Sequence, residues 1–205
     1  LSSLPLDDPA VYDLICSGDT VGVFQVESRA QAQMLPRLQP RTFNDLVVEV
    51  ALVRPGPLQG GMVHPYLRRR RGEEPVTYAH PAMEAALSDT LGVIVFQEQV
   101  LMVARDVAGF TPGEAEKLRR AMGRKRSREE MEALRERFVA GAMANGATRQ
   151  QAEAVFDQLC AFASYGFNRA HAASFALLTY QSAWLKRYYP LAFYTALLNN
   201  QPMGF

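Results

Sequence analysis

Cysteine is nearly absent. Cys16 and Cys160 stand far apart in apolar company, so there is no disulfide framework and no CxxC pair. They read as packed thiols of a reducing compartment, and a cytoplasmic location is expected. Histidine is scarce too, and His64, His80 and His171 share no metal-ligand spacing with one another or with a cysteine. No apolar run is long enough to cross a bilayer. No basic-then-apolar leader opens the chain. Strong net charge is missing as well: the formal value is +1, which does not by itself mark a nucleic-acid binder. Walker, GxGxxG, GxSxG and HExxH patterns are all lacking. The chain starts at Leu1 rather than Met and stops abruptly at Gly204–Phe205, as expected of a piece cut from a longer protein.

What is present is a mainly helical pattern. Of 205 residues, 48% are hydrophobic, which allows a packed core without covalent staples. Asp8-Pro9 opens a short helix that stops at Gly18. Helices are predicted over Gln31 to Leu38 and Phe43 to Leu52, and Arg54-Pro55-Gly56-Pro57 must be a rigid turn. The longest non-helical stretch is expected between Pro55 and Pro81. Short β-strands are expected near residues 20–26 (TVGVFQV) and 92–96 (GVIVF). Three capping boxes, begun by Thr111, Ser127 and Thr148, start three further helices. The second of these carries Met131, Leu134, Phe138 and Ala142 on one face. The helix from about His171 to Tyr188 is apolar nearly all round and is expected to lie deep. Pro190 opens the last helix, to about Asn199.

The basic residues are not spread evenly. Arg68 to Arg71 form one run, and Lys117 to Arg128 contain the other. In the helix after Thr111, Ala115, Leu118 and Met122 share one face, and Lys117, Arg120 and Arg124 share another, with Arg119 and Lys125 flanking it. Cations grouped this way suit a polyphosphate, since arginine forks bind phosphate oxygens in pairs. They suit equally a solvated face balanced by Glu114, Glu116, Glu129 and Glu130. The run Arg68 to Arg71 can track a DNA backbone or form a solvated loop. Asp7-Asp8 is better read as a cap than as a metal pair. Glu98 either supports a cation or is a first-turn acid favoured by the helix dipole.

A second segment, Tyr165-Gly166-Phe167-Asn168-Arg169-Ala170-His171, turns at Gly166 into a helix start, where free amides favour an anion. An aromatic, an amide, a cation and an imidazole together suit a base, sugar and phosphate. The alternative is an ordinary N-cap with Tyr165 and Phe167 as core aromatics.

Four blocks then resemble one family in order and spacing over essentially the whole chain. They are VGVFQVESRAQ (Val21 to Gln31), VALVRPGPLQGGMVHPYLRRR (Val50 to Arg70), LGVIVFQEQVLMVARDVAGFTPGEAEKLRRAMGRK (Leu91 to Lys125) and YGFNRAHAASFALLTYQSAWLKRYYP (Tyr165 to Pro190). The chain is identified as similar to the alpha subunit of bacterial DNA polymerase III, the C-family polymerases. GGMVHPY and the ending NNQPMGF look more like the error-prone branch, while FNRAH departs from the form expected there. The resemblance implies a fingers region, with residues 1–50 as palm–fingers connection or start of the fingers and 51–205 as the fingers. It implies that the catalytic aspartates and their Mg2+ lie in a palm outside this chain. Arg119 and Arg120 are then implied as a triphosphate clamp, with Tyr165, Asn168, Arg169 and His171 beside the nucleotide and Arg54 facing the active site. Lys117, Arg124, Lys125, Arg68 and Arg69 are DNA-backbone candidates. The implied partners are primer–template DNA, a dNTP, the palm and thumb, and, through other regions, a sliding clamp and replisome subunits. Two other readings remain open: a stand-alone helical module that binds nucleic acid or protein without catalysis, and a degenerate polymerase relative.

Overall fold

The structure, a computed structural model, describes residues 1, 3–53, 59–122, 128–163 and 166–200. Along the chain the helices are α1 (Pro9–Cys16), α2 (Arg29–Leu38), α3 (Phe43–Leu52), α4 (Gln59–Arg70), α5 (Glu84–Leu87), α6 (Gln97–Ala108), α7 (Pro112–Met122), α8 (Arg128–Ala144), α9 (Arg149–Ala163), α10 (Arg169–Tyr188) and α11 (Pro190–Asn199). They fall into two compact units. One joins Leu1–Val63 to Ala170–Phe205, and the other is the continuous stretch His64–Arg169.

In the discontinuous unit, Asp8 caps α1 by accepting from the Ala10 amide at 2.9 Å, with Pro9 at the first helical position. Ser28 caps α2, and Thr42 with Asp45 forms a reciprocal capping box on α3. Tyr12 of α1 and Tyr180 of α10 are both fully buried, their rings 5.5 Å apart. The expectation for α10 needs correction. Ala172, Ala176, Thr179, Tyr180, Ala183 and Lys186 are buried, but Leu177 and Leu178 are exposed, so one face only is packed.

The strand expected at residues 20–26 is a series of turns. Gly22 and Gln25 have φ of 77° and 68°, values no strand accepts. The carbonyls a sheet would pair are taken by side chains. Lys186 Nζ donates to Asp19 O and Val21 O, Thr179 to Phe24 O, and Thr20 to Val26 O. Burying the ammonium requires such partners, and the Asp19 carboxylate at 2.9 Å completes the set.

Glu49 of α3 is fully buried, and burial pushes its carboxyl up to about 8. The Gln31 side chain of α2 faces it. An ionised Glu49 would require the amide nitrogen to turn toward it. A neutral Glu49 donates its O–H to the amide oxygen instead, and the nitrogen is left to donate to Val53 O at 3.3 Å. The second arrangement satisfies all three groups, so Glu49 is held as the acid. The unfolded chain ionises near 4.5 and the folded one only near 8, so this site makes stability fall as pH rises between those values. Glu49→Gln is therefore expected to raise the urea midpoint relative to wild type by a margin that widens from pH 5 to pH 8. An equal margin at both values would contradict a neutral Glu49.

The continuous unit is built on a three-ring stack. Phe138 of α8 is fully buried, 5.8 Å from the Phe110 ring and 5.5 Å from Phe156 of α9. Gly141 lets α8 approach the last carbonyl of α6 at Ala108, where any Cβ would collide. The Thr111–Glu114 and Thr148–Gln151 capping boxes form as the sequence predicts, while Ser127 lies outside the described residues. Leu134, Phe138 and Ala142 are buried and Met131 is half-buried.

The second expected strand, residues 92–96, is also corrected. Gln99, 1% exposed, accepts from the amides of Val95 and Phe96 at 2.8 and 3.0 Å. It donates to Ala86 O and Thr90 Oγ1. The amides a neighbouring strand would use are consumed by one side chain. Among the described residues no strand forms, and a single bridge joins Phe96 to Phe167. The stretch expected to be longest without helix contains α4, with Pro65 inside it.

Candidate nucleotide site in the continuous unit

The start of α6 joins two segments that the sequence keeps far apart. Gln97 Nε2 donates to Gly166 O at 2.8 Å, and its backbone amide donates to Phe167 O at 2.9 Å. Its Oε1 accepts from Arg119 on α7 at 3.3 Å. One side chain thus ties the LRRAMG arginine to the YGFNR turn. Gly166 is required by this joint: a Cβ there would lie 2.7 Å from Gln97 Cγ and 2.8 Å from the Phe162 ring.

Around the joint, each described arginine meets a carboxylate. Glu116 binds Arg119 through both oxygens, at 2.7 and 2.8 Å, and also accepts from Arg120 Nε at 2.8 Å. The i, i+3 and i, i+4 spacing on α7 makes this possible. The hydrogen bonds from Arg119 and then Arg120 hold the Glu116 carboxyl down to about 2. Arg169 pairs with Asp89 at 2.5 Å and lies 5.1 Å from the Phe96 ring centroid. Both Glu98 oxygens accept from the Arg169 amide at 3.1 Å. The anion favoured by the start of α10 is therefore supplied by Glu98.

The remaining sequence-derived residues are placed as follows. Ala115 and Leu118 are buried and Lys117 is exposed, as the two-faced reading of α7 requires. Lys117 borders a shallow cleft of about 200 Å³ with Phe110, Glu114, Leu134 and Arg137. Glu114 is taken by Thr111 and Arg137. Arg68 is half-exposed and pairs with Glu74 at 2.7 Å. Arg69 is only 13% exposed and donates to Leu91 O at 2.8 Å, so it braces the unit from within. Asn168 is exposed. His171 is exposed in the discontinuous unit, its ring 4.3 Å from Phe175. Arg54, Arg124, Lys125 and Tyr165 lie outside the described residues. Gln97 as a joint and Asp89 as a partner were not read from the sequence. The Glu116 spacing to Arg119 and Arg120 is visible there, with Glu116 among the acids of the charge-balance alternative.

No group of three or more His, Cys, Asp or Glu able to hold a metal occurs among the described residues. Glu116, Glu98 and Asp89 are each engaged by a cation or amide. No described helix is long and apolar enough to cross a membrane.

Comparison with known proteins gives this site its context. The profile of the bacterial DNA polymerase III alpha subunit finger domain matches residues 1–146. An error-prone DNA polymerase of Bordetella bronchiseptica is 58% identical over the whole chain, which covers 20% of that protein. One from Corynebacterium glutamicum is 60% identical, again with 20% of its length covered. One from Anaeromyxobacter dehalogenans is 57% identical, with 18% covered. The chain spans about a fifth of the length of the curated relatives it matches. With 146 of its residues matched by that profile, the chain belongs to the family of bacterial DNA polymerase III alpha subunit finger domains.

Proposed function

We propose that the chain receives the incoming dNTP, beside the template, in a DNA-directed DNA polymerase of the error-prone kind. Arg119 and Arg120 bind the β- and γ-phosphates, where charge grows as pyrophosphate leaves. Arg169 and Asn168 line the nucleotide's flank. Lys117 and Arg68 are outward cations suited to the DNA backbone. Primer–template, palm and thumb complete the site, and the aspartates with their Mg2+ belong to those other parts.

The observation that carries this reading is the Gln97 joint, which brings an arginine of α7 to the turn before α10. A binding site assembled from two remote segments needs such a fixed link, because small misplacements cost rate. Gln97→Ala in the full-length polymerase is expected to raise the dNTP KM about three- to tenfold, by loss of roughly 1 kcal/mol of placement. Steady-state primer extension measures it. A KM unchanged within error would detach the turn from the clamp.

A further inference from the structure

We propose that Glu116 is a resident counter-ion which nucleotide phosphates must displace from Arg119 and Arg120, so that it sets how strongly the polymerase holds a dNTP. The inference rests on the phosphate-binding role of these arginines given above.

The geometry is specific. Among the described residues Glu116 alone spans both guanidinium groups, with Oε1 shared between them and Oε2 on Arg119 Nε. It therefore occupies the forked donors that phosphate oxygens would use. The other two acids of the cluster are committed elsewhere: both Glu98 oxygens cap the Arg169 amide, and Asp89 pairs with Arg169. Among the described residues Glu116 is held only by Arg119 and Arg120 of its own helix, and Arg120 is 66% exposed, so the pair is open to exchange. When Glu116 lets go, Arg119 keeps its hydrogen bond to Gln97 and stays in place. Counted over Arg119, Arg120, Arg169, Glu116, Glu98 and Asp89, three cations meet three acids, so the cluster is formally neutral before any ligand arrives. A triphosphate entering it exchanges partners instead of filling a bare positive cavity. A nucleotide whose phosphates are poorly aligned competes badly with Glu116, so the same residue selects against mispositioned substrate.

The test is Glu116→Gln in the full-length polymerase, with Glu116→Asp, Arg119→Ala and Arg120→Ala beside it. Glu116→Gln is expected to lower the dNTP KM by about two- to fivefold, the size of an exposed ion pair released. It is also expected to steepen the rise of KM with salt. Glu116→Asp keeps the charge and is expected to lie between wild type and Glu116→Gln. A merely structural Glu116 predicts the opposite sign, because loosened arginines raise KM. A KM raised or unmoved in Glu116→Gln, while the arginine variants raise it, overturns the counter-ion assignment alone. If Arg119→Ala and Arg120→Ala both leave KM unmoved, the phosphate-binding role itself fails and takes this inference with it.

Discussion

Arg119→Ala in the full-length polymerase is expected to lower kcat/KM for single-nucleotide incorporation by about ten- to hundredfold. A charge-assisted hydrogen bond contributes roughly 1.5–3 kcal/mol, and each 1.4 kcal/mol is about tenfold in rate. Arg119 is the arginine of α7 fixed by Gln97, and it is also the one bound through two nitrogens to Glu116. Arg120 is 66% exposed and held by Glu116 alone among the bonds described, so Arg120→Ala should lose less. Arg119→Lys should recover only part of the loss, since an ammonium cannot make the forked contact. Wild-type kinetics in Arg119→Ala would remove the clamp. The circular dichroism of that variant should match wild type, because Arg119 is a third exposed.

The second large effect is on stability. Phe138→Ala is expected to cost about 3–5 kcal/mol, the range for emptying a buried phenylalanine site. The ring is fully enclosed between Phe110 and Phe156, on the helix that packs against both α6 and α9. The neighbouring rings are themselves anchored, Arg137 lying 4.9 Å from the Phe110 centroid and Arg135 5.1 Å from Phe156, which limits collapse into the space. Amide exchange across α8 in the full-length polymerase reads the result, with protection expected to drop about a hundredfold or more. A drop under tenfold would mean that the stack is not the unit's core.

Much of this was legible in the sequence because its causes are local. Asp8-Pro9, Thr111 with Glu114 and Thr148 with Gln151 fix helix starts within a few residues, and each forms. The apolar spacing of Leu134, Phe138 and Ala142 likewise predicts their burial. The two strands failed because side chains satisfy the backbone groups a sheet would pair. TVGVFQV and GVIVF have strand-forming composition, but the remote Lys186 and Thr179 take the carbonyls of the first run, and Gln99, three residues past Phe96, takes the amides of the second. Nothing near the first run announces its partners, whereas Gln99 stands in the first turn of the helix that follows the second. For the site, the arginines of α7 and the turn before α10 stood out by charge and glycine. Their junction through Gln97 could not, because a contact spanning 69 residues leaves no periodic trace. Burial of one face of α10 was foreseen and exposure of the other was not. Hydrophobic content alone does not say which side of a helix meets a partner.

The division of the chain bears on how it is born at the ribosome. One unit is closed by helices from both ends of the sequence: Tyr12 meets Tyr180, and Lys186 holds Asp19 and Val21. When α1, α2 and α3 emerge, the side chains that complete their packing have not been translated, and the whole of His64–Arg169 must come first. At about 5–20 residues per second that delay is on the order of 5–20 s. The later-made but uninterrupted unit can therefore mature first, while the earliest helices wait with apolar faces uncovered during the interval.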